Sequence, residues 1–486
     1  MSRVPHVVVL GAGINGACVA RELALQHCRV TLVDSGDVGG GTTAYSSRLI
    51  HGGLRYLEHG QTALVRESLA ERARLLRLAP EFVRPLEFRI PLRRRLGGWT
   101  AAVMSRLGRP PRRAADRGAW LIGAGLRFYD HLAAPSTMPR SQVRRRSETL
   151  DPGLPAEFQW VGSYFDAQML HPERFTVALI ADAETAANTA GAGPLTVLTY
   201  RQVERDGQTL VVRDRLRREA DVVLEPDAVV NASGPWGDVT TTALGFNAAS
   251  RLAGTKGTHL LTFQAELRRL LGNAAVYAEA GDGRPVFILP FGDGVLIGTT
   301  DLPFTGDPAA AVASEAEIEY LLNLTNNVFP TARLARGDVA LHYAGVRPLP
   351  ASKARTTSAV SRDHAAAPEP EAPWPCFTLV GGKLTTCREF GEDVAAEVLR
   401  RLNRPFASQT RERPIPDVAE LRYVRRLEDL VERRRMLHFQ RHLTVDMLRD
   451  AAVELASSGV VAAESCDAEI ARTAARLKEH FGRVVT

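Results

Sequence analysis

A valine-rich run, His6 to Leu10, opens the pattern; it is too short for a helix and predicts a buried parallel strand. Six residues of glycine-spaced turn follow, Gly11-Ala12-Gly13-Ile14-Asn15-Gly16, then a helical stretch from Ala17 to about Gln26. A second β-branched run, Arg29 to Val33, ends on Asp34. Much later, Ala228-Val229-Val230-Asn231 and Phe377-Thr378-Leu379-Val380 predict two more short strands, each running into small residues. Leu260 to Thr300 alternates in short strands suited to an antiparallel sheet. Asp363 to Pro375 is rich in Ala, Pro and Glu and reads as a linker loop. From Pro416 onward the pattern is helical, over Leu421–Met436, Val445–Ser457 and Asp467–Phe481.

The order of the first elements carries chemistry. Gly11 suits a tight turn after a strand, Gly13 lets backbone approach a pyrophosphate, and Gly16 permits close helix–strand packing. The helix start then offers unpaired N–H groups and a positive dipole end to phosphates. Asp34 is placed to accept from a ribose 2′-hydroxyl and would repel a 2′-phosphate. Together these form a Rossmann-type dinucleotide unit, which by itself leaves NAD and FAD open. Gly381-Gly382-Lys383, after the strand ending at Val380, predicts a second strand–glycine–helix element running to about Arg401. Its helix start would turn another positive end toward the cofactor.

Composition narrows the picture. Hydrophobic residues at 45% and charged residues at 24% are globular values, and 486 residues can bury one large core or two ordinary ones. Four lysines stand against 57 arginines, so the net charge of +6 says little about partners. Two of those lysines, Lys256 and Lys383, sit beside glycines and become candidates for specific work, because an ammonium is not interchangeable with a guanidinium. Five scattered cysteines without a CxxC pair suggest neither metal nor disulfide framework, and a reducing cytoplasm. No leader pattern and no spanning apolar run is found, so any membrane contact is expected at the surface. Residues 92–118 combine Arg93-Arg94-Arg95 and Arg109 to Arg113 with Trp99, Met104 and Leu107, a pattern suited to an anionic lipid surface. Arginines are dispersed without aromatic platforms, which argues against nucleic acid.

After the first unit comes Ser46-Ser47-Arg48-Leu49-Ile50-His51-Gly52-Gly53-Leu54-Arg55-Tyr56-Leu57-Glu58. This segment resembles the flavin-loop signature of the respiratory, FAD-dependent glycerol-3-phosphate dehydrogenase family. Further segments resemble the same family in the same order: Val230 to Trp236 (with Gly234), Lys256-Gly257-Thr258-His259, Ile297 to Asp301, Gly345 to Leu349, and Gly381 to Thr386 (with Leu384 and Thr385). The resemblance spans roughly residues 5–400. It implies an FAD cofactor held by Gly11, Gly13, Gly16, Asp34, Ser46, Ser47, Arg48, Gly52, Gly53, Leu54, Gly234, Trp236, Gly382, Lys383, Leu384 and Thr385. It implies a substrate site of Arg55, Tyr56, His259, Arg347 and Lys383. There the two arginines would take the phosphate and hydroxyl end, and His259 would accept the proton or bond the reacting oxygen, with His51 a competitor. Asp34 stands where the family commonly has glutamate, Cys387 where it usually has tyrosine, and Phe291 where it often has tryptophan.

The expected architecture is α/β: a Rossmann-type FAD-binding domain, an inserted mixed-sheet substrate domain and a small C-terminal helical domain. FAD-binding segments are expected at 1–90, 201–250 and 351–405, with cap and substrate segments at 91–200 and 251–350 and helices at 406–486. The resemblance further implies oxidation of glycerol 3-phosphate, a quinone acceptor, a peripheral position on the cytoplasmic face of a membrane, and a homodimer. A soluble oxidase using oxygen and a non-catalytic relative of the same fold are the competing expectations.

Overall fold

The computed structural model describes residues 3–95, 118–133, 138–148, 153–189, 194–216, 218–247, 250–280, 284–351 and 364–486. The proposed lipid-facing patch at Trp99, Met104 and Leu107 lies outside them. The β-branched runs of the first unit form the centre of a six-stranded sheet. Its order is Ala365–Pro368, Cys376–Val380, Ala228–Asn231, His6–Leu10, Arg29–Val33 and Thr196–Leu198. All pairings are parallel except the outermost, where Ala365–Pro368 runs antiparallel to Cys376–Val380. His6–Leu10 is buried along its whole length, as a strand with helices on both faces must be. Helices Ile14–Leu25, Pro172–Thr189 and Cys387–Arg401 pack into this core.

A second, ten-stranded sheet holds Leu252–Thr262, Pro285–Phe291, Gly294–Gly298, Val83–Leu92 and Trp160–Met169 among its members, with Val339–Pro350 paired to Leu252–Thr262. It is mixed, since Ala275–Glu279 runs parallel to Val83–Leu92 while most neighbours are antiparallel. The C-terminal helices Val445–Ser457 and Cys466–Phe481 share one apolar core with this sheet, where Leu448, Leu455 and Leu477 cluster with Phe88, Tyr164 and Leu341.

Three local expectations need correction. The stretch at 363–375 is not simply a linker, because its alanines supply the edge strand Ala365–Pro368; Pro368 is tolerated at its end, on the sheet's edge. Leu421–Met436 is not one regular helix. Turns lead into a π-helical segment, Asp429–Arg434, whose wider turn accompanies the burial of Asp429, Glu432, Arg433 and Arg434 together. Finally, Gly381-Gly382 does not open straight into a helix: residues 381–386 form a loop and the helix starts at Cys387.

Candidate active site

One cavity of about 1520 Å³ runs between the two sheets. It exceeds the roughly 300–1,000 Å³ of an ordinary small-molecule pocket, leaving room for a dinucleotide with a substrate beside it. One end is built by the first glycine turn. Gly11 has φ +111°, and a Cβ there would come within 2.5 Å of the Ala232 carbonyl oxygen, so the two strand ends meet only through a glycine. Gly16 lies inside the helix, which begins at Ile14 rather than Ala17, and a Cβ on it would collide with the Gly11 carbonyl. It therefore sets packing and does not border the cavity. Gly13 does border it, and a Cβ there would find only Thr43 Oγ1, at 3.5 Å. The N-cap residue, Gly13, has no side chain to cap this helix, and its first N–H, that of Ile14, is taken by the Thr43 hydroxyl.

Asp34 Oδ2 accepts from the Ala12 N–H at 2.6 Å and Oδ1 from the Gly36 N–H at 2.8 Å. A carboxylate has about four acceptor sites, so two remain on a residue that borders the cavity. Buried polar atoms of residues around this space that have no hydrogen-bond partner among the described residues include Asn15 Oδ1, His259 Nδ1 and Lys383 Nζ. A glycine-floored cleft with an acid for a ribose and orphaned polar atoms deeper in fits an extended, polar, phosphorylated cofactor. Ser46, Ser47, Gly53, Leu54, Gly234, Trp236, Gly382, Leu384 and Thr385 also border the cavity.

Arg55, Tyr56, His259, Arg347 and Lys383 line the same cavity. Arg347 rises from strand Val339–Pro350, opposite Thr255 in the register, and its guanidinium fills the space that Gly257, two residues along the paired strand, leaves empty. Its Nη1 donates to Asp301 Oδ1 at 3.1 Å, and its Nη2 to Thr299 Oγ1 at 3.0 Å and the Thr300 carbonyl at 3.3 Å. Arg55, on the short 3-10 turn Leu54–His59, makes no hydrogen bond or ion pair with a described residue. Lys383 Nζ lies 4.3 Å from the Tyr56 ring centre, a cation–π contact that places it without using up its donors. His259 is stacked on Tyr343 at 4.8 Å, with Nε2 at 2.8 Å from Ser47 Oγ. Burial, then the nearby Arg347 and Arg48 charges, hold its pKa well below the usual histidine value, so the ring is neutral at pH 7. His51, also at the cavity, is lowered by burial too.

Several candidates serve the site from behind. Arg48 borders the cavity, but its guanidinium is turned to Glu173, at 2.6 and 3.0 Å, and lies over Phe439, so it braces the loop. Gly52 does not border the cavity; its N–H donates to the Tyr129 hydroxyl at 2.9 Å, and that hydroxyl bonds Asp166. Lys256 is paired with Glu317 at 2.7 Å and is not a cavity residue. Sequence reasoning missed Thr43, whose Oγ1 accepts from the Ile14 N–H at 3.1 Å, and Asp37, gripped by Arg433 and Arg434 from the far end of the chain. Among the described residues no group of His, Cys, Asp and Glu is placed to hold a metal ion.

The parallel sheet, glycine cleft, acid and apposed second sheet define an FAD-binding oxidoreductase. A family model described as FAD dependent oxidoreductase matches residues 6–368. A glycerol-3-phosphate dehydrogenase from Synechocystis sp. is 34% identical over 415 residues, covering 82% of this chain and 70% of its own. The D-erythritol 1-phosphate dehydrogenase of Brucella abortus is 32% identical over 390 residues, 79% of this chain and 71% of that one. Among solved structures, the glycerol-3-phosphate dehydrogenase of Bacillus halodurans complexed with FAD superposes with a TM-score of 0.60 at 22% identity, over 96% of this chain and 75% of that one. The chain belongs to the FAD-dependent glycerol-3-phosphate dehydrogenase family.

Proposed function

We propose that this enzyme oxidises the secondary hydroxyl of sn-glycerol 3-phosphate to give dihydroxyacetone phosphate, and that the electrons pass to a membrane quinone. The observation that supports the reading is one cavity lined both by the dinucleotide cleft and by Arg55, Tyr56, His259, Arg347 and Lys383. FAD, when bound, supplies the hydride acceptor. The chain supplies charge and position. A phosphate dianion calls for cations with donors to spare, and Arg55 and the Lys383 ammonium have no hydrogen-bond partner among the described residues. Arg347 adds a planar fork whose tilt is fixed by Asp301 and Thr299. His259, neutral and with Nδ1 unpartnered, is the bonding partner and proton acceptor for the reacting hydroxyl. Burial and two guanidinium neighbours disfavour its charged form, so the ring stands neutral, with an acceptor nitrogen, before the hydroxyl arrives.

For the acceptor, helix Ala119–Leu132 supplies the supporting feature. Its outer side exposes Trp120 by 61%, Leu121 by 40% and Phe128 by 45%; the other exposed large hydrophobics among the described residues are all valines. Arg94, Arg95, Arg127, Arg144 and Arg145 are exposed in and beside this region. Apolar side chains ringed by arginine suit a peripheral contact with an anionic bilayer, where a quinone is met. No helix among the described residues is long and apolar enough to cross a membrane.

A longer phosphorylated polyol is the second reading, favoured by the 32% identity to the D-erythritol 1-phosphate dehydrogenase. Anaerobic bleaching of the flavin absorbance by glycerol 3-phosphate, erythritol phosphate and glycerol separates the readings. Glycerol 3-phosphate is expected to bleach fastest and glycerol hardly at all; equal rates with glycerol would remove the phosphate from the argument. Reoxidation by a short-chain quinone is expected to outrun reoxidation by oxygen, and the reverse order would favour a soluble oxidase.

A further inference from the structure

Lys256 and Glu317 form an ion pair, 2.7 Å apart, with neither side chain at the cavity. We propose that this pair is a positioning device for Arg347, with Glu317 fixing the segment Thr299 to Asp301 whose acceptors aim the guanidinium at the substrate's phosphate. The inference rests on the reading of Arg347 as a substrate-binding cation.

The path is continuous in hydrogen bonds. Glu317 is the N3 residue of a capping box on helix Glu315–Val328, so its side chain is set by the helix start: Oε2 accepts from the Ser314 N–H at 3.1 Å and hydroxyl at 2.9 Å. Lys256 binds the same oxygen and anchors itself on the Val312 carbonyl at 2.9 Å. Oε1 is turned the other way and accepts from the hydroxyls of Thr258 and Thr300, both at 2.8 Å. The Thr300 hydroxyl in turn accepts from the Thr258 N–H at 2.8 Å. Thr300 is thereby held from one side by a carboxylate, while on the other its carbonyl and its neighbours Thr299 and Asp301 receive the Arg347 fork. Burial would raise the Glu317 pKa, yet Lys256, Ser314, Thr300 and Thr258 outweigh it and hold the carboxyl ionised. Lys256 thus has a reason to be a lysine among 57 arginines: a compact ammonium reaches one carboxylate oxygen and one carbonyl together.

The test uses the FAD-loaded enzyme and compares Glu317→Gln, Lys256→Met, Thr300→Val and Arg347→Lys. Glu317→Gln and Lys256→Met are expected to raise KM for glycerol 3-phosphate about tenfold while kcat stays within about twofold, because binding geometry is lost rather than the reacting groups. The dissociation constant for inorganic phosphate, read from the flavin spectrum, is expected to rise in parallel, and Lys256→Arg to recover part of the loss. Thr300→Val removes the hydroxyl that joins Glu317 to the segment, together with its bond from the Thr258 N–H, and is expected to raise KM about threefold. It decides the matter alone should Glu317→Gln fail to hold flavin. If Arg347→Lys raises KM but Glu317→Gln and Thr300→Val leave it within twofold of native, the positioning inference is overturned and the role of Arg347 stands. If Arg347→Lys also leaves KM unchanged, the substrate reading itself has failed.

Discussion

Asp37→Ala tests whether the C-terminal region holds the cofactor in place. Asp37 lies three residues after Asp34, is fully buried, and sits in the loop whose residues 34–37 and 40–43 border the cavity. Its carboxylate accepts from Arg433 Nε at 2.6 Å and from Arg434 Nη1 and Nη2 at 2.8 and 2.7 Å. Without it, Arg433 keeps Asp429 at 2.7 Å and Glu432 at 2.9 Å. Arg434, 1% exposed, keeps only the Arg422 carbonyl at 3.2 Å among its hydrogen bonds. One buried guanidinium without a counter-ion costs about 3–5 kcal/mol. That is a large share of a total stability of roughly 5–15 kcal/mol. Urea unfolding followed by circular dichroism and by flavin release should show both transitions moved down, the flavin transition first, with excess FAD restoring part of the loss. Replacing both partners, Asp37→Leu with Arg434→Met, should recover much of it, since an absent pair leaves no stranded charge. A loss below about 1 kcal/mol with flavin retention unchanged would refute the reasoning, since that is the size of an exposed surface pair.

Four further outcomes are expected. Gly16→Ala forces a methyl into the Gly11 carbonyl, costing about 1–3 kcal/mol and lowering FAD content on gel filtration; full flavin occupancy would contradict the packing argument. Arg55→Lys and Arg347→Lys should each lose on the order of 2 kcal/mol of transition-state binding, about 30-fold in kcat/KM, with the flavin spectrum intact. His171, lowered to about 4 by burial and then by Arg48 and Arg174, and His438, lowered to about 3 by burial, both stay neutral when folded, whereas the unfolded chain protonates them near pH 6.5. Stability should therefore fall as pH drops below 6.5, by up to about 1.4 kcal/mol per unit for each histidine until its folded pKa is reached, and a flat urea midpoint from pH 7 to 5 would argue against it. Trp120→Ser with Phe128→Ser should abolish binding to anionic liposomes at low salt without changing bleaching by substrate; unchanged sedimentation with liposomes would move the contact elsewhere.

What could be read from the sequence was local. The strand from His6, the glycine turn and the acid at Asp34 fall within 29 residues, and each is demanded by its neighbours, so their spacing carries the geometry. Pairings made by the fold left no such trace. Arg48 finds Glu173 125 positions on, and Arg433 finds Asp37 396 positions back. With 57 arginines in the chain, charge alone could not say which were braces. Lys256 shows the same difficulty from the other side. Its rarity was a true signal, but periodicity could not tell a cavity wall from the carboxylate one layer behind it. The strand Ala365–Pro368 was hidden because alanine and proline carry no strand signal; the sheet edge beside Cys376–Val380 decides it.

The charges around the cavity divide into two populations, and the division itself points at the chemistry. Arg48, Arg72 and Arg433 are buried and each is matched to a carboxylate, Glu173, Asp166 and Asp37, so their fields are largely cancelled before they reach the interior. Such groups stiffen walls and cannot answer a ligand without stranding a partner. Lys383 and Arg55 are different: both border the cavity with no hydrogen-bond partner among the described residues, and Lys383 lies against an aromatic face. Arg347 stands between the populations, tied to Asp301 yet presented at the cavity surface. Leaving an ammonium unpaired in a partly dry space is costly unless an anion completes it. The site therefore stores an unmet demand for negative charge beside a neutral histidine, which a phosphorylated alcohol would satisfy at one end and expose to oxidation at the other.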